Sequence, residues 1–319
     1  MIKLFEKYDK GIYRIIKIFG IKITTKPFKN KLNTTLDKII NQNKDLLTYM
    51  KNINNVTVNY LFSLKKELAE LKGNTQGKNK KAIYTCITNR YDNLFVHTYI
   101  NNDWDYICFT DDKYLIDAKV YGNWIIKPLY NSNMDNTRIS RWHKLHPHVV
   151  LKEYDYSLWI DSNIDIKTSY IFECVDKAIS NNIDISIPPH YERDCIYDEA
   201  NIIIQDKIDD KNIVNKQIKL YREEGFPEHY GLNETNIMYR NHNIDKIISL
   251  MDEWWQFIEN YSKRDQLSLS YVLWKNNMGL NYLTDTNIRL DTKNFDFFPH
   301  TKSKVISVQD LYKKAELNN

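Results

Sequence analysis

YSLWIDSNIDI, residues 156–166, climbs through an apolar, aromatic run to a carboxylate, Asp161, followed two residues later by an amide, Asn163. Short, dense in Leu, Trp and Ile and bounded by polar residues, the run reads as a strand buried on both faces. In open α/β sheets ligands bind beyond the carboxyl ends of such strands. Asp161 is therefore placed to hold a divalent cation and, through it, the phosphates of a nucleotide. An Asx turn that only ends the strand fits the same D-x-N spacing equally well.

Strand-like and helix-like segments alternate on both sides of this run. KAIYTCITN (81–89), DYICFTDD (105–112) and NWIIKPL (123–129) precede it as β-prone stretches. NTRISRWHKLH (136–146) reads as a helix ended or kinked by Pro147. Downstream, DISIPP (184–189) and NETNIMYR (233–240) read as strands, and 193–205, 213–223, 245–261 and 265–277 as helices. The pattern predicts an α/β fold whose mainly parallel sheet is covered by helices on both faces. No G-x-G-x-x-G follows the first strand and no G-x-x-x-x-G-K-[ST] occurs, which removes the usual dinucleotide and P-loop readings.

Upstream of residue 81 the character changes. Residues 1–31 carry nine Lys and Arg against Glu6 and Asp9, a balance of +7 in a chain whose formal net charge is +4. Bulky apolar residues interleave with those bases, the composition of an interfacial anchor for an anionic membrane surface. A helix or hairpin packed on the main domain is the alternative. Nucleic acid is not expected as a partner, because no basic groove continues the patch. Across 32–72, apolar residues from Leu36 to Leu71 recur at spacings of four and three, a seam expected to form a coiled coil and drive self-association. An intramolecular helical hairpin broken near Asn54 and Asn55 is the alternative. GNTQGKNK (73–80) reads as a linker, leaving 81–319 as the main domain.

Composition narrows the class further. Twenty-three tyrosines suit a carbohydrate-handling surface, where flat rings stack on sugar faces. Cys86, Cys108, Cys174 and Cys195 show no C-x-x-C spacing and read as reduced thiols of a cytosolic protein rather than a zinc site or disulfide set. No apolar run approaches the ~20 residues that span a bilayer, and the first residues lack a signal-peptide pattern.

Several side chains have the chemistry to bind an activated sugar. A nucleoside diphosphate leaving group needs cations to absorb its developing charge. Arg138, Arg141 and Lys144, spaced three apart, fall within one third of a helix circumference and suit that role, as a solvated helix face would also explain them. Thr88, Arg90 and Asp92 follow the first strand, where turn chemistry is the competing explanation. His190, Arg193 and Glu199 could bind sugar hydroxyls or form a structural ion pair, and Glu234 is a sugar ligand or base. Ser262 to Asp265 matches a capping box, in which Asp265 only satisfies free N–H groups.

The ordered set ITNRYD (87–92), YICFTD (106–111), R-x-x-R-W-H-K-L-H-P-H (138–148), LWIDSN (158–163), HYERDCIYDEA (190–200), LNETNIMYR (232–240) and RDQLS (264–268) resembles one glycosyltransferase-like family. That family includes plant Golgi polysaccharide-related proteins and bacterial proteins of surface-polysaccharide loci, and the resemblance spans roughly 81–300. It implies the GT-A class, in which a Rossmann-like sheet holds a nucleotide-sugar donor and a D-x-D element binds Mn or Mg. Here that element is Asp161-Ser162-Asn163, with an amide replacing the second acid. The resemblance also implies nucleoside contacts at Thr88, Arg90 and Asp92. Asp265 and Gln266 would lie against the donor sugar beside Arg264, and His300 would complete the metal site. The expected activity is transfer of a sugar to a bacterial surface polysaccharide, capsule or lipopolysaccharide, on a glycan or lipid-linked acceptor. The enzyme would work as a peripheral protein at the inner face of the cytoplasmic membrane. A hydrolase of lipid or glycan amides or esters and a non-catalytic glycan-binding module are the alternatives. The lack of G-x-S-x-G and H-E-x-x-H weighs against the common hydrolases.

Overall fold

A computed structural model describes residues 5–10, 13–18, 21–25, 80–130 and 133–300. They fall in two compact units. The first holds β1 (Phe5–Lys10), β2 (Tyr13–Ile18) and β3 (Ile21–Thr25), an antiparallel sheet in that order. The basic N-terminal segment is therefore β-structured where described. The register sets Ile16 opposite Ile23, Ile18 opposite Ile21 and Lys17 opposite Lys22. The coiled-coil expectation over 32–72 and residues 73–79 of the linker lie outside the described residues.

The second unit begins with β4 (Lys81–Ile87) and β5 (Trp104–Thr110), followed by α1 (Lys113–Ala118), β6 (Val120–Tyr121) and β7 (Trp124–Pro128). Next come α2 (Asn136–Leu145), α3 (Pro147–Val150), β8 (Tyr156–Ile160), β9 (Ile164–Ile166) and α4 (Tyr170–Ser180). The remainder is β10 (Ile185–Ser186), α5 (Ile196–Gln205), α6 (Lys211–Glu223), β11 (Ile237–Asn241), α7 (Asp245–Asn260), α8 (Gln266–Lys275) and β12 (Phe295–Phe297). Seven strands form one sheet in the order β10-β11-β8-β4-β5-β7-β6. The central four are parallel, and antiparallel pairs flank them at both edges.

Side-chain alternation places a core on each face of this sheet. Tyr84, Phe109, Trp159 and Met238 enter one apolar cluster, covered by residues of α5, α7 and α8. Ile83, Cys108, Leu158, Ile160 and Ile237 enter the other, covered by Ile171, Phe172 and Val175 of α4. Successive strand residues point to opposite faces, which is why these central strands read as unbroken apolar runs. Each fully buried Leu or Ile contributes about 1.5–3 kcal/mol through removal from water.

Two local features aim the sheet at the site. Helix α2 starts where Asp135 accepts N–H bonds from Thr137 and Arg138 and stops at His146, ahead of Pro147. Its late Lys144 carbonyl accepts from Tyr84 Oη at 2.7 Å and Arg240 Nη1 at 2.6 Å, satisfying a group the helix leaves open. Strand β12 pairs antiparallel with β9, Phe297 against Ile164, and so returns the chain to the Asp161-Ser162-Asn163 turn. Among the described residues, no helix is long and apolar enough to cross a membrane.

Candidate active site

A cavity of about 300 Å³ opens at the carboxyl ends of β4 and β8, bounded by Thr88, Asp92, Arg141, Asp161, Glu234 and Asp265 among others. Because β11 runs antiparallel to β8, with Ile237 opposite Ile160, the residues just before it arrive at the same end. That register brings Glu234, Thr235 and Asn236 to the wall. The N-terminus of α8 contributes Arg264, Asp265 and Gln266.

Asp265 is the centre of the charged floor. It is 2% exposed, its Oδ2 accepts from Lys144 Nζ at 2.5 Å and Thr235 Oγ1 at 2.9 Å, and its Oδ1 lies 3.2 Å from Arg141 Nε. The side chain makes no capping bond to α8 although it occupies the cap position, so the capping-box reading is corrected: two basic side chains of α2 engage the carboxylate. Burial by itself raises its pKa, but Arg141 and Lys144 outweigh that and hold it well below the usual carboxylate range. Burial pulls the Lys144 ammonium down, opposed by Asp265. Beneath Lys144, the fully buried Arg240 bonds Tyr84 and the Lys144 carbonyl.

The opposite wall is acidic and polar. Asp161, its side chain 33% exposed, accepts the Trp159 indole N–H at 2.7 Å and lies 4.0 Å from Lys144 Nζ. Ser162 donates to Asp92 at 2.6 Å, and His300 Nδ1 meets the other Asp92 oxygen at 2.9 Å. That hydrogen bond raises the His300 pKa. The Asn163 amide donates to the Phe298 carbonyl at 3.0 Å, and Phe298 N–H returns a bond to Asn163 O at 2.8 Å. Glu234 is buried between Arg289 and the Asn287 amide, the latter at 2.8 Å.

The predicted metal trio of Asp161, Asn163 and His300 lines this wall but fits a divalent ion poorly. Its donor set carries one carboxylate, an ammonium stands 4.0 Å from that carboxylate, and His300 is turned to Asp92. Among the described residues, the His, Cys, Asp or Glu group whose ligand atoms converge is elsewhere, at Cys195, Asp198 and His229.

Thr88, Asp92, Arg141, Asp161, Asn163, Glu234, Arg264, Asp265, Gln266 and His300 thus line one cavity, and Lys144 lies directly behind it. Besides Lys144, five predicted residues stand outside its lining. Arg138 donates to the carbonyls of Ile258 (3.0 Å) and Tyr261 (3.2 Å) and pairs with Asp135, so it ties α2 to the end of α7. Arg90 stands 3.2 Å from Asp112. His190, Arg193 and Glu199 form a knot at the start of α5. There Arg193 Nε bonds Glu199 at 2.7 Å, and His190 Nδ1 accepts the N–H groups of Glu192 (3.2 Å) and Arg193 (3.1 Å). Burial lowers the His190 pKa, consistent with a neutral ring accepting those bonds.

Sequence reading missed Thr235, Asn236 and Arg289. Asn236 is buried with both amide atoms lacking a hydrogen-bond partner, a state that costs about 1–3 kcal/mol unless a ligand answers it. Its position, directly ahead of an antiparallel strand, was the available signal. Arg289 sits in an irregular loop with no pattern to mark it.

The chain belongs to the TOD1/MUCI70, glycosyltransferase-like domain family, whose model matches residues 41–298. The match begins inside the segment read as a coiled coil, upstream of β4. No curated protein matches the sequence. Among solved structures it is similar to the WbbM bifunctional glycosyltransferase in its apo form (TM-score 0.38, 10% identity, covering 66% of this chain and 40% of that one). It is also similar to mouse xyloside xylosyltransferase 1, apo form (TM-score 0.38, 12% identity, 64% and 84%). A third is the galactosyltransferase LgtC in complex with donor and acceptor sugar analogs (TM-score 0.34, 12% identity, 63% and 72%).

Proposed function

We propose that this family member transfers a sugar from a nucleotide-sugar donor, with the donor diphosphate against Arg141, the charge of Lys144 behind it, and the transferred sugar facing Asp265. The observation that carries the reading is a carboxylate sealed between two cations at the edge of a strand-end cavity. Arg141 and Lys144 supply fixed positive charge where the leaving diphosphate gains negative charge. Asp265, ionised throughout the neutral range, is a poor proton acceptor and suits electrostatic support of positive charge developing at the anomeric carbon. Glu234, held by Arg289 and Asn287, is the second carboxylate, placed to accept hydroxyl protons from donor or acceptor sugar.

The acceptor is proposed to be a bacterial surface glycan, capsule or lipopolysaccharide, built at the inner face of the cytoplasmic membrane. The lysine-rich N-terminal segment supports membrane-surface attachment, because each base near an anionic surface adds about 1 kcal/mol. The 32–72 seam supports self-association. A chain beginning at Lys81 should bind donor yet lose both properties, as vesicle sedimentation and light scattering would register.

Calorimetric titration with UDP-, GDP- and CDP-sugars, with and without manganese, tests the donor assignment. A sugar nucleotide that binds the wild type and not Asp161→Ala or Arg141→Ala supports it. Binding of a donor that ignores both substitutions overturns it.

A further inference from the structure

The second unit also gathers metal-type donors away from the cavity. Cys195, Asp198 and His229 each present one ligand atom, and the three atoms lie within 4.8 Å of one another. Cys195 is the N-cap residue of α5, 3% exposed, with a non-helical backbone and no side-chain capping role. Asp198 follows three residues later on the same helix face. His229 comes from the loop after α6, at φ +53°. Its Nδ1 meets Asp194 Oδ1 at 2.8 Å. A carboxylate on Nδ1 orients an imidazole and fixes its tautomer with the lone pair on Nε2, the outer-sphere arrangement of metal-bound histidines.

We propose that Cys195, Asp198 and His229 bind a Zn²⁺-class cation. Thiolate, imidazole and carboxylate are the ligands that borderline-soft Zn²⁺ takes, whereas Mg²⁺ and Mn²⁺ prefer all-oxygen sets. Metal–ligand distances of about 2.0–2.3 Å put tetrahedral ligand atoms roughly 3.3–3.8 Å apart. Closing to that size asks for about 1 Å of movement. Asp198 and His229 are exposed and can supply it around the fixed sulfur. Cysteine spacing could not disclose the site, because its third ligand lies 34 residues beyond Cys195 in sequence.

The ion would act as a staple. Gly231 N–H bonds Asp194 O at 2.8 Å, His190 N–H bonds Leu232 O at 2.9 Å, and Glu234 N–H bonds Pro188 O at 3.0 Å. The two segments carrying the ligands are therefore already laced together, and that lacing runs directly into Glu234 and Thr235 of the cavity wall. A cation at its outer end would stiffen the wall without touching substrate.

Co²⁺ titration of the full-length, reduced, chelator-stripped protein tests the proposal through optical spectroscopy. A single equivalent of Co²⁺ should produce a thiolate-to-cobalt charge-transfer band and intense tetrahedral d–d bands, displaced by Zn²⁺ and not by Mg²⁺. Cys195→Ser should abolish the charge-transfer band. His229→Gln, at an exposed position that leaves the fold intact, should weaken cobalt binding at least tenfold, and Asp161→Ala should leave the spectrum unchanged. Stoichiometric cobalt without a thiolate band, or a band that survives Cys195→Ser, overturns the proposal.

Discussion

Asp265 and Glu199 look alike by composition: each is a buried carboxylate with an arginine and a second basic group beside it. Their surroundings differ. The partners of Asp265, Arg141 and Lys144, come from a helix more than a hundred residues earlier and meet it at the edge of a cavity. The partners of Glu199, His190 and Arg193, lie within nine residues of it and close a local knot at a helix start. Burial and charge pairing alone therefore do not mark a site. Convergence from distant elements onto open space does.

The sharpest way to break this comparison is Asp265→Asn. Turnover should fall at least about a hundredfold, the scale of losing one transition-state electrostatic contact. Leaving Lys144 and Arg141 buried without their anion should also cost about 3–5 kcal/mol of stability. Adding Lys144→Met should recover stability and not turnover. Recovery of both by the double variant would reduce Asp265 to a structural partner.

Acid separates the regions next. His143 is locked neutral, its Nε2 accepting the Tyr130 N–H and its Nδ1 donating to Ile139 O, both at 2.9 Å. Burial pushes the pKa of His143, and likewise of His242, down to about 4. A histidine depressed on folding contributes stability that is complete above its unfolded value, about 6.5, and is lost as pH falls towards the folded one. Urea midpoints should hold above about pH 6.5 and then drop, by up to ~1.4 kcal/mol per pH unit per histidine. Asp265, depressed below the ordinary carboxylate range, keeps its charge throughout that window. A flat profile between pH 6.5 and 4 would contradict the buried neutral rings.

Glu199→Gln should lower stability by about 1–3 kcal/mol while donor affinity in calorimetry stays within twofold. A tenfold affinity loss would move the knot into the site. Smallest is Arg138→Ala, expected to remove about 1–2 kcal/mol with its carbonyl bonds and leave donor binding alone, as paired melting and titration curves would show.

The α/β architecture and the strand ending at Asp161 were legible because buried strands announce themselves as short apolar runs between turns. Arg141 and Lys144 were legible as a helix face, but Arg138 was not separable from them. At 100° per residue all three fall within one third of the circumference, and only the packing of α7 draws Arg138 aside. Asp265 offered a capping box and a ligand at once, and its true partners lay too far along the chain for any local pattern. Strand β12, three residues long, left no periodicity to read, so His300 could be placed at the site only through resemblance, and its bond to Asp92 was not foreseen.

Arg240 is sealed beneath Lys144 with no carboxylate bonded to it among the described residues, its bonds going to Tyr84, the Lys144 carbonyl and the Met251 sulfur. A fixed charge there gives the cavity floor a standing positive potential whether or not a sugar is present. On the proposed reading, the nucleoside diphosphate left after transfer carries more negative charge than the donor it came from, so the same floor would grip the spent product harder than the incoming substrate. Product departure should then set the pace of the cycle. Moderate salt should raise turnover, and added nucleoside diphosphate should inhibit at concentrations below those at which the donor saturates.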